Sequence, residues 1–369
     1  MKKCSGLIVA ALFLFLVAGC GNTEEPISPE PTPSPTALGV SDLNDFLRTI
    51  DLTAASLTCH RESEETYPAS AAICAENYLE EFQNSTWEAY IPASQWDETD
   101  GSFYQLAAPG GSITTFSGRY DSNQPLHLVT DDGEGWFILA QTEPDQGSQT
   151  GEMTDRIFSS WYEEAEVAVL CGGTGTPLTA EELEYFRQYT GDAQAMYDGD
   201  DESLDRAAEI GCFFTSLYED VRELNFAEFM RYFPGDSDTP SQVTDLEFEA
   251  LKSVESWPFA EVETLSDMPV PVHKYLRSSV DEVLLKYAGI TTAELDTTGV
   301  AYLEEYDAFY NYTSDFGLGV FLPYYGEQNG DIVTLWDAPA RHDGSVSVLT
   351  LQKSGESWYI LSHQTTATN

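Results

Sequence analysis

The chain opens with an apolar run, Leu7 to Val17, set between Lys2-Lys3 and the small residues Ala18 and Gly19, and closed by Cys20. A helix that crosses a bilayer needs about 20 apolar residues, so this run has the length of a cleavable export signal. Periodicity then vanishes over residues 21–40, where Pro26, Pro29, Pro31, Pro33 and Pro35 alternate with Ser, Thr and Glu. That composition has nothing to pack and favours polyproline II. At ~3.1 Å per residue it makes a stalk of roughly 60 Å. Helical spacing begins at Ser41, with Leu43, Phe46, Leu47 and Ile50 on one stripe. A second helix is predicted from about Pro68 to Gln83, with Cys74, Tyr78 and Phe82 on one side.

The pattern changes at Ser102. SFYQLAA, GSITTFSGRY, LHLVT and GWFILAQ are short, rich in β-branched and aromatic residues, and separated by turn-forming triplets. They read as an antiparallel sheet. TDRIFSSWYEEAEVAVL returns to helical spacing through Ile157, Trp161 and Ala165, so residues 41–170 read as an N-terminal α+β domain. CGGTGTP, residues 171–177, reads as a glycine-rich linker, because the Lys-Ser/Thr of a phosphate-binding loop is missing.

Beyond the linker, Thr179 and Glu182 have capping-box spacing, and Leu178 with Leu183 that of a hydrophobic staple. Stripes follow at Ala207, Ile210, Phe214 and Leu217, and at Phe226, Phe229, Met230 and Phe233 behind Asn225 and Glu228. A third, at Val280, Val283, Leu284 and Tyr287, is capped by Ser279 with Glu282 and stopped by Gly289. DIVTLWD, SVSVLTLQ and SWYILS alternate as strands. Residues 178–369 therefore read as a second domain, and the fold class is α+β: two tandem domains, each of helices plus a small antiparallel sheet. GEGWFIL at 133–139 echoes GESWYIL at 355–361, which fits either a recurrent hairpin composition or a duplicated domain.

VAGC, Val17 to Cys20, resembles the lipobox of bacterial lipoproteins. The resemblance implies a signal peptide at 1–19, cleavage after Gly19 and lipid attachment at Cys20; the composition after it gives a disordered stalk at 20–40. It places the protein on the extracytoplasmic face of the cell membrane, held to the lipid bilayer through acylated Cys20. Each buried methylene adds about 0.8 kcal/mol, so two or three chains anchor far better than one. RIFSSWYEEAE, PLTAEELEYF and LEEYDAFYNYTSD are similar to stretches of uncharacterised extracytoplasmic α+β lipoproteins of Gram-positive anaerobes. That likeness implies architecture and no activity.

Charge narrows the partners. With 63 acidic against 16 basic residues the formal net charge is −47, a field that repels phosphate backbones and argues against nucleic acid. Besides Cys4 and Cys20 there are Cys59, Cys74, Cys171 and Cys212; Cys59 and Cys74 bracket a short polar segment and are the candidate disulfide. Cys59, His60, Glu62 and Glu64 lack the second ligand pair of a zinc site, so neither metal nor cofactor is expected. G-x-S-x-G and H-E-x-x-H are both absent, and no catalytic residue is assigned.

Two acidic groups remain. Glu304, Glu305 and Asp307 stand beside Tyr302, Tyr306 and Tyr310, a mixture suited to sugars. Yet Tyr302, Tyr306, Phe309 and Tyr310 fall at helical spacing and read as a core stripe. Asp198, Asp200, Glu202 and Glu209 occupy positions 1, 3, 5 and 12 of an EF-hand-like loop, but Ser203 replaces its glycine and Asp205 its apolar residue, so a solvated loop is the reading. The leading expectation is a non-enzymatic binding or interaction module for a peptide, glycan or protein. A carboxylate-dependent cell-envelope glycan hydrolase is the alternative, and a calcium-dependent structural surface protein the third. Acids of raised pKa meeting in an aromatic-lined cleft would favour the hydrolase.

Overall fold

The computed structural model describes residues 46–60, 65–84, 87–92, 102–116, 126–130, 135–140, 149–191, 209–231, 233–234, 243–312, 319–340 and 344–367. Helices and antiparallel sheets are both present, so the fold is α+β. Residues Leu38–Asn369 form one compact unit.

Seven strands make the first sheet: β1 (Ser56–Cys59), β2 (Thr66–Pro68), β3 (Trp87–Pro92), β4 (Ser102–Ala108), β5 (Gly111–Phe116), β6 (Leu126–Thr130) and β7 (Gly135–Ala140). Their spatial order is β2-β1-β4-β5-β6-β7-β3. The four expected strands are there, joined by three more. Helices α1 (Ala75–Asn84) and α2 (Gln149–Cys171) belong to the same half. Phe158 and Trp161 of α2 pack with Leu57, Leu106 and Ile113 of the sheet, and the Trp161 indole donates to the Ala69 carbonyl at 2.9 Å. The helix expected from Pro68 starts later, at Ala75. Thr66 and Tyr67 pair with β1 instead, and Pro68 closes that edge strand with φ −60 and ψ 128, where a missing N–H is tolerated.

The glycine-rich segment is more than a linker. Cys171 ends α2, and Thr176–Pro177 is a strand, β8, on the edge of a five-stranded sheet of order β15-β14-β13-β12-β8. Its other members are β12 (Tyr325–Asn329), β13 (Ile332–Trp336), β14 (Ser345–Ser354) and β15 (Ser357–Ala367). The backbone N–H groups of Gly173 and Gly175 donate to the two carboxylate oxygens of Glu327, at 2.6 and 2.9 Å. A Cβ on Gly175 would meet the Glu327 Cβ at 2.8 Å, so close approach demands glycine here.

Strands β9 (Val272–Leu276), β10 (Ala301–Leu303) and β11 (Ala308–Tyr312) form a third sheet, β10-β11-β9. The helical core stripe expected over 302–310 is thus a hairpin, turned by Asp307 in the left-handed region at φ 46. Strand β11 runs between two cores: Phe309 belongs to one, Ala308 and Tyr310 to the other.

The described helices of the second half include α3 (Ala180–Tyr189), α4 (Phe226–Arg231), α5 (Asp245–Leu251) and α6 (Arg277–Ala288). The Thr179–Glu182 capping box forms in both directions, and Asn225 accepts from the Glu228 N–H at 3.2 Å. Helix α6 begins at Arg277, straight off β9, so Ser279 lies inside it and caps nothing. Gly289 ends it at φ 65, as expected of a left-handed cap. Leu217 is 55% exposed: the helical turns stop in a 3-10 segment at Cys212–Phe214, and Tyr218 then pairs with His363 of β15.

Glu164 of α2 joins the halves. Fully buried, it accepts from the Tyr78 hydroxyl, the Cys74 N–H and the Arg187 guanidinium of α3. Arg187 Nε also donates to the Pro323 carbonyl at 3.0 Å. The candidate disulfide is not formed: Cys59 and Cys74 are not bonded to each other, and the Cys74 sulfur lies 3.9 Å from Arg187 Nη1.

Candidate functional site

Among the described residues, the acids singled out in the sequence do not converge on a cleft. Glu304 and Glu305 are exposed in the β10–β11 turn. Asp307 accepts from the Tyr302 hydroxyl at 2.6 Å, with Arg277 3.7 Å away. Tyr310 lies in the core and donates to Glu247 at 2.8 Å. Asp198, Asp200 and Glu202 of the EF-hand-like loop fall outside the described residues, as does Cys20. Glu209, the last of the loop's acids, is engaged by Lys286 at 2.6 Å and the Tyr287 hydroxyl at 3.1 Å.

Two carboxyls do have raised pKa values. Burial pushes Glu166 up to about 7, against a hydrogen bond from Tyr67 and with help from Glu65 and Glu163. Burial likewise pushes Asp337 up to about 6, against N–H bonds from Ala338 and Leu322. Neither lines the three hollows of about 110, 320 and 350 Å³ found among the described residues.

An open site lies where α3, α6 and the β14–β15 hairpin meet. Leu183 and Phe186 face the core, Tyr185 and Gln188 are exposed on the outer side of α3, and half-buried Tyr189 packs against the core. Phe186 packs edge-on against Trp358, centroids 5.2 Å apart, and the Tyr189 hydroxyl donates to the Trp358 carbonyl at 2.7 Å. Tyr185 and Tyr189 stack at 6.4 Å and 21°, and Tyr189 meets Tyr287 of α6 edge-on at 6.1 Å. The end of α6 sits close on β15: a Cβ at Gly289 would meet the Tyr359 ring at 3.1 Å.

Two adjoining hollows of about 320 and 350 Å³ result, sharing Tyr185 and Trp358. Lys353 Nζ stands 5.6 Å over the Trp358 ring and Lys286 Nζ 4.7 Å over Tyr287. Glu181, Glu182 and Glu356 lie along the same linings. Tyr185, 49% exposed above the buried Tyr287 and Trp358, offers its ring to the C–H face of a sugar, the carboxylates suit its hydroxyls, and Lys353 suits an acidic substituent. Sequence reasoning passed over it. The signal was Tyr185, an aromatic ring at an exposed position of a capped helix, four residues before Tyr189.

Comparison with family models, with curated proteins and with solved structures gave no match.

Proposed function

We propose that the protein is a lipid-anchored, extracytoplasmic binding module that takes a glycan, without turnover, in the groove of Tyr185, Tyr189, Tyr287 and Trp358. The observation that carries the reading is the pair of adjoining aromatic hollows flanked by two lysines, in a chain with only 16 basic residues. The VAGC lipobox and the Pro-rich residues after it support the anchor. Glu166 and Asp337, the acids that burial keeps partly protonated near neutrality, stand away from both hollows; binding is therefore favoured over hydrolysis.

Co-sedimentation of the mature protein with insoluble cell-envelope glycan tests the reading. Wild type is expected in the pellet, and Tyr185→Ala should weaken binding roughly tenfold, the worth of one aromatic contact. Undiminished binding by Tyr185→Ala would remove the groove from consideration, and release of reducing sugar would establish the hydrolase instead. The anchor is tested separately: Cys20→Ser should leave the membrane fraction, and retention there would refute lipidation.

A further inference from the structure

The groove carries two side chains of opposite charge that are left unpaired among the described residues. Lys252, Lys274 and Lys286 each pair with a glutamate. Lys353 pairs with none there, although the chain has 63 acidic residues; its Nζ stands 5.6 Å over the Trp358 ring instead. Glu356, three residues on in the same hairpin, pairs with no cation there either. The two point to different places. Lys353 lines the hollow of about 320 Å³ and Glu356 the hollow of about 350 Å³. Their charged neighbours are largely spent: Glu182 accepts from the Thr179 N–H and hydroxyl at 2.8 and 3.0 Å, and Lys286 is held by Glu209 at 2.6 Å. Glu181 remains beside Lys353 without pairing with it. The first hollow thus holds an unpaired cation, and the second an unpaired carboxylate with no unpaired cation beside it.

Tyr185 lines both hollows, and its ring is the exposed aromatic face between them. A sugar stacked there sends substituents to either side. We propose that the glycan is zwitterionic, a saccharide seated on Tyr185 that presents an anionic group to Lys353 and an ammonium to Glu356; this rests on the groove being the glycan site. The charge of the whole chain favours the same ligand. A purely anionic glycan meets the repulsion of a net charge of −47. A purely cationic one is attracted by acids all over the surface and has no need of the groove. A ligand of zero net charge escapes both effects, and the local pair of opposite charges then decides its orientation and fit.

The test is titration calorimetry of the mature protein in slightly acidic buffer, with four disaccharides. Glucuronic acid linked to glucosamine carries both charges, and its N-acetylated form the anion alone. Glucosamine linked to glucosamine carries ammonium alone, and cellobiose neither. The zwitterion should bind tightest, by about threefold for each charge, the worth of an exposed ion pair. Lys353→Gln should erase its advantage over the diglucosamine, and Glu356→Gln its advantage over the N-acetylated form. Equal affinity for the zwitterion and either singly charged disaccharide would overturn the proposal, as would preferences that survive in both variants. The underlying reading is checked apart from this by Tyr185→Ala, which should weaken binding of all four. If Tyr185→Ala weakens them while the charges make no difference, the groove takes a glycan without reading its charge. No binding of any of the four, or affinities indifferent to Tyr185→Ala, would remove the groove and the proposal with it.

Discussion

Three glutamates, Glu164, Glu247 and Glu327, are buried among the described residues, and each ties together segments remote in the chain. Nothing in the sequence separates them from the rest of the 63 acids, because what distinguishes them is the cation or N–H that folding brings near. Glu247 shows the consequence. Burial pushes its pKa up, but bonds from Lys274, from the N–H and hydroxyl of Thr244, and from Tyr310 prevail and hold it near about 2, against 4.5 ordinarily. A carboxyl depressed in the folded state stabilises above its unfolded pKa and loses that contribution as pH falls through the folded one. Here the window runs from about 4.5 down to about 2, and the contribution is on the order of 3 kcal/mol. Urea midpoints across that window should fall more steeply for wild type than for Glu247→Gln. Parallel curves would refute the assignment.

Among the elements, the strands from 102 to 140 and from 332 to 361 were legible because they are short, β-branched and bounded by turn signals. Strand β11 was not. With both faces buried it carries Ala308 and Tyr310 into one core and Phe309 into another, and a continuous apolar run of that kind mimics helical spacing. The start of α6 was misread for a different reason: it leaves β9 without a capping side chain, so serines already inside its first turn looked like the cap. CGGTGTP was misread because a glycine needed for close approach looks the same as one needed for flexibility. Glu327→Ala should therefore loosen a strand. Amide exchange at Gly173, Gly175 and Leu178 is expected to accelerate, with about 1–3 kcal/mol lost per unpaired group. Unchanged exchange would mean that the carboxylate does not hold the edge.

At the scale of the whole molecule, the core cluster around Trp161 and the one around Phe229 are separate, yet Ile73 packs against the second, and the Glu164–Arg187 pair crosses between them within one compact unit. Removing one partner of a buried ion pair costs roughly 3–5 kcal/mol, because the other charge stays buried alone. Wild type should melt in a single calorimetric transition and Glu164→Ala in two; a single transition in the variant would show that the halves are coupled by other means. The groove also belongs to this scale. Tyr185, Tyr287 and Trp358 come together only when α3, α6 and the β14–β15 hairpin pack, and no local pattern announces such a convergence. The central claim is that this groove receives a glycan, and the most direct measurement is hydrogen exchange of the mature protein with and without soluble envelope-glycan fragments. Slower exchange confined to 181–189, 286–287 and 353–358, with the fragments recovered intact, is the expected result. Protection elsewhere, or cleavage of the fragments, would contradict it.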